Sequence, residues 1–547
     1  MIAPYCRSVE CCILVFSLAE NDTGDSSIET LDMWLKFFRD NETPGEAPVV
    51  LIGNKVDIVD EKSRSVSKKE LNLWCSRNNI EAYFEVSAKD GTNVEETIEE
   101  IAKISCIYHS QAEQYCVHYE YYLSVFRKED NLMFNNLKKR RSDGLFKLEN
   151  MQYHFPKIKN IDNGFLDAVG IDLGTTRCYA AVKRKNGIES IALENTGNRL
   201  LSSYVSFDEN HVKCGEVVTN RMQFYEKSTV FDSKRIIGKL YTFIDADNSW
   251  QFSITKYFNR AKIGIISPDG KTSKFPEEIS AALLKHVKIK CEEIQGKELN
   301  ETVITVPAMF DEIQNEATYA AAMLAGWKKI HLLPEPVAAA FAYFIDKPIP
   351  SNSKLFLFDL GGGTSFLILE LEIIGRSGDP YLGGRDFDNI LIEYFREQLL
   401  SQYGVTVAES KKYKLMMECQ EIKHNLSSRN EDKLAVDDYD LTKVNDYIPI
   451  TRQQFETLAE NLLMLIKSNI TAALENAGVK LDEINKVLYV GGGSRMPIIK
   501  DLLLHETFPN AEHCYEQNPD EVVAVGAAYY SYHLPSFKTN ENRCSVI

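Results

Sequence analysis

A chain of 547 residues with 44% hydrophobic residues can bury more than one core, so two or three domains are expected. Its formal net charge of −17 argues against nucleic acid as a partner, because duplex binders neutralise phosphates with a basic surface. No apolar run is long enough to span a bilayer. The 12 cysteines have no CxxC or metal-ligand spacing, which suits a reducing, cytoplasmic compartment.

Residues 1–108 alternate β-rich runs with helical spacing. Cys11–Leu18 and Val49–Ile52 read as strands, Ile28–Phe38 and Val94–Ile104 as helices, a pattern that makes a parallel sheet. The apolar run Cys11–Ala19 lies where a signal peptide would, but Arg7 and Glu10 spoil a cationic leader, so a buried strand is expected. A strand runs into Gly53-Asn54-Lys55-Val56-Asp57, and a later one ends in Ser87-Ala88-Lys89. This pair resembles the guanine-binding elements of small GTPases. Trp34, Trp74-Cys75 and Asn78-Asn79-Ile80 are similar to the late-endosomal Rab branch. The resemblance implies that Asp57 accepts two hydrogen bonds from guanine, framed by Asn54, Lys55, Ser87, Ala88 and Lys89.

The phosphate loop of such proteins, Gly-x-x-x-x-Gly-Lys-Ser/Thr, has no counterpart. The nearest run, Gly264 to Gly270-Lys271-Thr272, is one residue too long, and Pro268-Asp269-Gly270 reads as a hairpin turn. Without that loop and the metal-binding switch regions, neither GTP or GDP binding nor GTPase activity is expected. The segment reads as a truncated P-loop-type GTPase fragment with an exposed sheet edge, a remnant or a mis-joined gene model, with Met151 as a candidate internal start. Residues 109–165, with Tyr119, Tyr121, Tyr122 and the basic run Lys138-Lys139-Arg140-Arg141, read as a partly disordered linker.

Three loops follow in a domain spanning 166–534. In the first, an apolar strand runs into Asp172-Leu173-Gly174-Thr175-Thr176. Gly174 permits a tight turn, and backbone N–H groups and threonine hydroxyls can then face anionic oxygens. Leu355–Phe358 leads to Asp359-Leu360-Gly361-Gly362-Gly363-Thr364, the same design almost two hundred residues later. Two such turns suggest two lobes clamping one polyphosphate. The third, Val487–Val490 into Gly491-Gly492-Gly493-Ser494-Arg495, brings backbone close to a flat ligand such as an adenosine.

These loops resemble the two phosphate loops and the adenosine loop of the 70 kDa heat-shock (DnaK-type) chaperones. Ser203–Phe207, Val230–Gly238, Val303–Ala308, Pro334–Ala340, Gly383–Asp388 and Asn518–Glu521 match in order. The resemblance implies a two-lobed, actin-like (ribonuclease-H-like) α/β ATPase domain that uses ATP or ADP and Mg2+. Asp172, Glu335 and Asp359 would surround the metal and attacking water, with Asp172 and Asp359 reaching Mg2+ largely through water. Lys234 would stabilise the γ-phosphate in the transition state. Thr175, Thr176, Gly361, Gly362, Gly363 and Thr364 would bind phosphate, and Gly383 and Gly384 would line the nucleotide. Lys423 and Ser427 would hold the ribose, while Gly491, Gly492, Gly493, Arg495 and Asp520 would frame the adenine. Pro307 resembles a relay residue. J-domain proteins, nucleotide-exchange factors and other chaperones are the implied partners.

Departures from the family pattern shape the functional expectation. Phe366 stands where the pattern has an aspartate, and a phenyl ring cannot accept a hydrogen bond from metal-bound water, so slow or impaired hydrolysis is expected. Gln420 and His424 replace a Glu and an Arg near the adenosine, Asn315 replaces an Arg in the relay region, and the hairpin between Leu371 and Gly378 is short. No client-binding β-sandwich is expected after residue 534. The 535–547 tail ends Cys544-Ser545-Val546-Ile547, which fits a prenylation pattern, so a membrane is a partner only if Cys544 is modified. The alternatives to an ATPase are a non-catalytic, ATP-responsive binding module and a Rab-like membrane-traffic protein.

Overall fold

A computed structural model describes residues 11–19, 27–41, 48–59, 64–78 and most of 80–104. It then describes 140–141, 144–148, 153, and 168–538 with short breaks at 185–186, 248, 258–259, 346–351, 362–363, 370–371, 380–381 and 444. The chain divides into two compact bodies, Met1–Asp130 and Asn131–Ile547.

In the first body, the strands Cys12–Ser17, Val49–Asn54 and Ala82–Val86 pair side by side and parallel, as the alternating pattern predicts. The helices Ser27–Asn41 and Lys68–Arg77 turn Leu31, Leu35, Phe38, Leu71 and Trp74 into a core against Val49 and Leu51. Ser67 starts the second helix, its hydroxyl accepting from the Glu70 N–H while Glu70 reaches back to the Ser67 N–H. Among the described residues Cys12–Ser17 pairs on one side only, and its Ile13 and Val15 are exposed.

In the second body one strand design occurs twice. In the first lobe, Ala168–Leu173 runs parallel to Glu301–Val306 and antiparallel to Arg177–Arg184; Lys329–Pro334 and Gly187–Ser190 flank them. In the second, Lys354–Asp359 runs parallel to Lys486–Val490 and antiparallel to Thr364–Leu369, with Glu372–Gly378 and Glu512–Cys514 outside. The central strands are buried almost throughout because both faces are covered. Arg260–Ser267 and Gly270–Lys274 form a hairpin in which Ser267 faces Gly270, so the Pro268-Asp269-Gly270 run is a turn as read from the sequence.

Two helices link the lobes. Glu335–Phe344 follows the edge strand Lys329–Pro334, and Val522–Lys538 returns to pack across it. Alanines make the crossing tight. Val337–Ala340 and Ala527 share one core with Leu355, Leu357, Leu488 and Val490 of the second lobe.

Residues of the 109–165 interval take part in this body. Phe146 is 1% exposed and meets Tyr319 edge to face, with ring centroids 5.5 Å apart. The Asn315 side chain donates to the Phe146 carbonyl at 2.9 Å, and Arg141 pairs with the buried Glu316. Tyr153 packs on Tyr530.

Candidate functional site

In each lobe one central strand delivers an aspartate to its C-terminal end, where the chain must turn. Asp172 ends the apolar stretch of its strand, and the Thr305 hydroxyl of the neighbouring strand donates to it at 3.5 Å. Asp359 closes the matching strand of the other lobe, and its Oδ1 accepts from the Gly361 N–H at 2.7 Å. Between them lies an ion pair across 101 residues of sequence: Lys234 Nζ donates to Glu335 Oε1 at 2.6 Å, each side chain 10% exposed. Lys234 is carried by the short helix Ser233–Ile236, and Glu335 begins the linking helix.

The electrostatics bind these four groups into one cluster. Burial pushes Asp172 up to about 7; Lys234 opposes the shift, and the carboxylates of Glu335 and Asp359 add to it. Burial alone would lower Lys234, but Glu335, Asp172 and Asp359 outweigh it and hold the lysine above its ordinary value. Three carboxylates facing one ammonium leave excess negative charge at the centre, which is chemistry suited to a hydrated divalent cation. Among the described residues no three His, Cys, Asp or Glu converge closely enough to grip a metal directly. Asp172 and Asp359 would take Mg2+ through the ion's own waters, of which it keeps several while accepting one or two carboxylates. Bound there, the metal would neutralise charge on phosphate oxygens.

The glycine loops interlock at the same place. Gly491 has φ 76, and a Cβ there would lie 2.3 Å from the Gly361 N and 2.6 Å from Asp359 Oδ1, so only glycine lets the third loop lie on the second. Leu360 N–H donates to the Val490 carbonyl at 3.1 Å, and Gly491 N–H to the Pro519 carbonyl at 3.0 Å. Gly492 approaches Asp520, which pairs with Arg495 at 2.9 Å; Gly493 lies against the Leu360 carbonyl. Burial raises Asp520, against the opposing cations Arg495 and Arg177. Gly174 folds the first loop back onto the Arg177 carbonyl. Thr175 and Thr176 follow it at the surface of the turn.

Gly383 approaches the Gly361 carbonyl, and the Gly384 carbonyl accepts from Lys423 Nζ at 2.7 Å. Lys423 also pairs with Asp388 at 2.6 Å, and the Ser427 hydroxyl donates to the Lys423 carbonyl at 3.2 Å. His424 is pushed down to about 4 by partial burial and by Lys423, Arg177 and Arg495, so it stands neutral near pH 7. Pro307 accepts from the Phe310 N–H in a turn, and the next carbonyl, Ala308, accepts from Arg376 of the second lobe at 3.0 Å. Gly362, Gly363 and Cys544 lie outside the described residues, and of Thr364 and Phe366 the backbone alone is described. Asp388, Asp232 and Arg385 lie within the matching stretches Val230–Gly238 and Gly383–Asp388, but the sequence assigns them no role.

In the first body, the guanine-type motifs are stitched to each other. Asn54 Oδ1 accepts from the Lys55 N–H at 2.8 Å and the Ala88 N–H at 3.0 Å. Ser87 donates to Asp57 at 2.9 Å, and Lys89 lies 3.8 Å from its other oxygen. Lys55 takes the left-handed conformation, φ 72, to make this turn.

Two repeated lobes, each ending a buried strand in an aspartate at a glycine turn, with a lysine–glutamate pair between them, define the two-lobed actin-like class. A family model described as Hsp70 protein matches residues 168–540, and one described as Ras family matches residues 1–106. The chain belongs to the Hsp70 protein family and also carries a Ras-family domain. It is similar to a Heat shock 70 kDa protein of Neurospora crassa, 34% identical over 391 residues, covering 70% of this chain and 60% of that one. Heat shock 70 kDa protein 2 of Paracoccidioides lutzii is 32% identical, with 70% and 59% covered. The Heat shock cognate HSP70 protein of Trypanosoma brucei brucei is 32% identical, with 67% and 56% covered. The chain thus spans under two thirds of the length of these relatives. No helix among the described residues is long and apolar enough to cross a membrane.

Proposed function

We propose that residues 166–534 bind ATP or ADP with Mg2+ between the lobes and act as a chaperone-like domain whose hydrolysis is slow or impaired. The Lys234–Glu335 pair, flanked by Asp172 and Asp359, carries this reading. A buried lysine beside the phosphates offers fixed positive charge to the transition state, and the surplus carboxylates suit the metal and its waters. Phe366 supports the impairment. It pairs in register with Leu357, two residues before Asp359, and brings a phenyl ring where the family pattern has a carboxylate. J-domain proteins, nucleotide-exchange factors and other chaperones belong to the proposal as partners, and the cytoplasm as compartment. The linker proposed over 109–165 is limited by residues 140–141, 144–148 and 153, which belong to the second body, and the tail proposed over 535–547 by the helix Val522–Lys538, which runs into it.

A second reading is a non-catalytic module that closes on ATP and is read by a partner; Phe366 favours it too. ATP binding and single-turnover hydrolysis by the full chain with Mg2+, beside Phe366→Asp, separate the two. Tight binding with slow turnover that the variant accelerates supports the impaired ATPase. Binding with no turnover favours the module. Equal turnover by both proteins removes the role given to Phe366, and absence of ATP binding refutes both readings. A titration with fluorescent GDP tests the Ras-family domain, for which no binding is expected.

A further inference from the structure

Arg385 opens the helix Gly384–Tyr403, directly after the Gly383-Gly384 turn of the second lobe, and its side chain is 5% exposed. A guanidinium buried so deeply must be paired. Asp388 of its own helix adds favourable charge, but its direct contacts come from the first lobe. Nη1 lies 3.2 Å from Asp232 Oδ2, Nη2 donates to the Tyr204 hydroxyl at 3.3 Å, and the guanidinium carbon stands 5.0 Å from the centre of the Phe231 ring. Asp232 is fully buried, takes the left-handed conformation at φ 58, and directly precedes the helix that carries Lys234. Trp250 Nε1 donates to the same Asp232 oxygen at 3.1 Å.

Further cross-lobe contacts surround the pair. The Tyr413 hydroxyl donates to the Ser249 carbonyl at 2.7 Å, and Gln251 donates to Glu409 at 2.8 Å. Tyr413 also meets Phe231 edge to face. Lys234 is two residues beyond one partner of the pair, and Gly383-Gly384 immediately precedes the other. The pair thus ties the Lys234 helix of the first lobe to the Gly383-Gly384 turn of the second.

We propose that Arg385 is an interlobe positioning residue that clasps the phosphate end of the cleft through Asp232 and slows the release of bound nucleotide. Parting the lobes breaks the pair, the Tyr204 hydrogen bond and the Phe231 contact together, so the clasp favours the closed cleft. The inference rests on the ATP-binding reading above.

The test follows release of a fluorescent ADP analogue from the full chain, chased with excess ATP in a stopped-flow instrument. Arg385→Met keeps the apolar bulk, and Asp232→Asn keeps an acceptor for Trp250. Each is expected to release the analogue about tenfold faster than wild type, and the double variant no faster than either single one, because both remove the same interaction. Unchanged release in the folded single variants, or effects that multiply in the double, would overturn the clasp. Should Arg385→Met fail to fold, Asp232→Asn and Tyr204→Phe decide, and wild-type release from both refutes the proposal. Small-angle scattering of the nucleotide-free chain separates the two readings. A larger radius of gyration in Asp232→Asn supports the clasp even if the wild type binds no nucleotide, and an unchanged radius together with unchanged release overturns it.

Discussion

Replacing Gly526 by alanine tests the helix crossing that joins the lobes. A Cβ at 526 would lie 1.7 Å from the Ala338 carbonyl oxygen and 2.5 Å from its carbon, whereas ordinary contact starts at 3.4 Å. Both sides are backbone, so no rotamer change relieves the clash. Nor can the underlying strand absorb it, since Gly170 is already tight against the Ala528 N. The helices must part by roughly 1.5 Å, an overpacking that costs about 3 kcal/mol. For a body of this size that is a fall of about 4 °C in Tm. The sign is informative, because Gly→Ala inside a helix otherwise stabilises by about 0.5–1 kcal/mol. Glu335 begins one of the two helices, so the shift should also disturb its 2.6 Å contact with Lys234 and weaken ATP binding. Thermal unfolding followed by circular dichroism, with and without Mg-ATP, measures both effects. A variant as stable as wild type or more so, with unchanged ATP affinity, would refute the close crossing.

Lys234→Met should reduce whatever single-turnover hydrolysis the wild type shows by about 10²-fold, with a smaller loss of ATP affinity, because the charge acts mainly where the transferring phosphoryl develops; rapid-quench measurement reads both, and an unaltered rate would remove the lysine from the chemistry. Glu316 supplies a pH dependence. Burial raises it from 4.5 to about 7, Arg141 opposing and Glu312 adding. The folded state then holds a proton that the unfolded state has released, so this contribution is full below about 4.5 and is lost as pH rises through about 7, a fall of about 3 kcal/mol. Urea denaturation at pH 5 to 8 should show Glu316→Gln with a flatter profile than wild type, and parallel profiles would reject the assignment.

The parts legible in the sequence are those written in local pattern. Apolar runs ending in Asp-Leu-Gly and a triple glycine encode strands that stop at phosphate-sized turns, and Pro268-Asp269-Gly270 encodes its hairpin, because turn chemistry depends on neighbouring residues alone. Arg385 was not legible in that way. An arginine at a helix start ordinarily reads as solvated, and its burial is set by Tyr204, 181 residues earlier in the chain. The same holds for residues 140–148, whose composition is that of a linker and says nothing of Asn315, 169 residues beyond Phe146. His424 is legible as a departure, but its loss of charge follows from burial first and then from three cations that fold together around it.

The Phe146 contact bears on where this domain physically begins. The family match starts at residue 168, yet Phe146, Leu148 and Tyr153 are interior to the same body. A protein trimmed to the matched residues would have an open socket lined by Tyr319 and Asn315, and Glu316 would lose its guanidinium partner. A protease attacking the folded chain should accordingly spare the bonds beside Phe146 and Leu148. The evolutionary edge of the domain and its mechanical edge are some twenty to thirty residues apart, and the second is the one that governs whether an isolated piece stays folded.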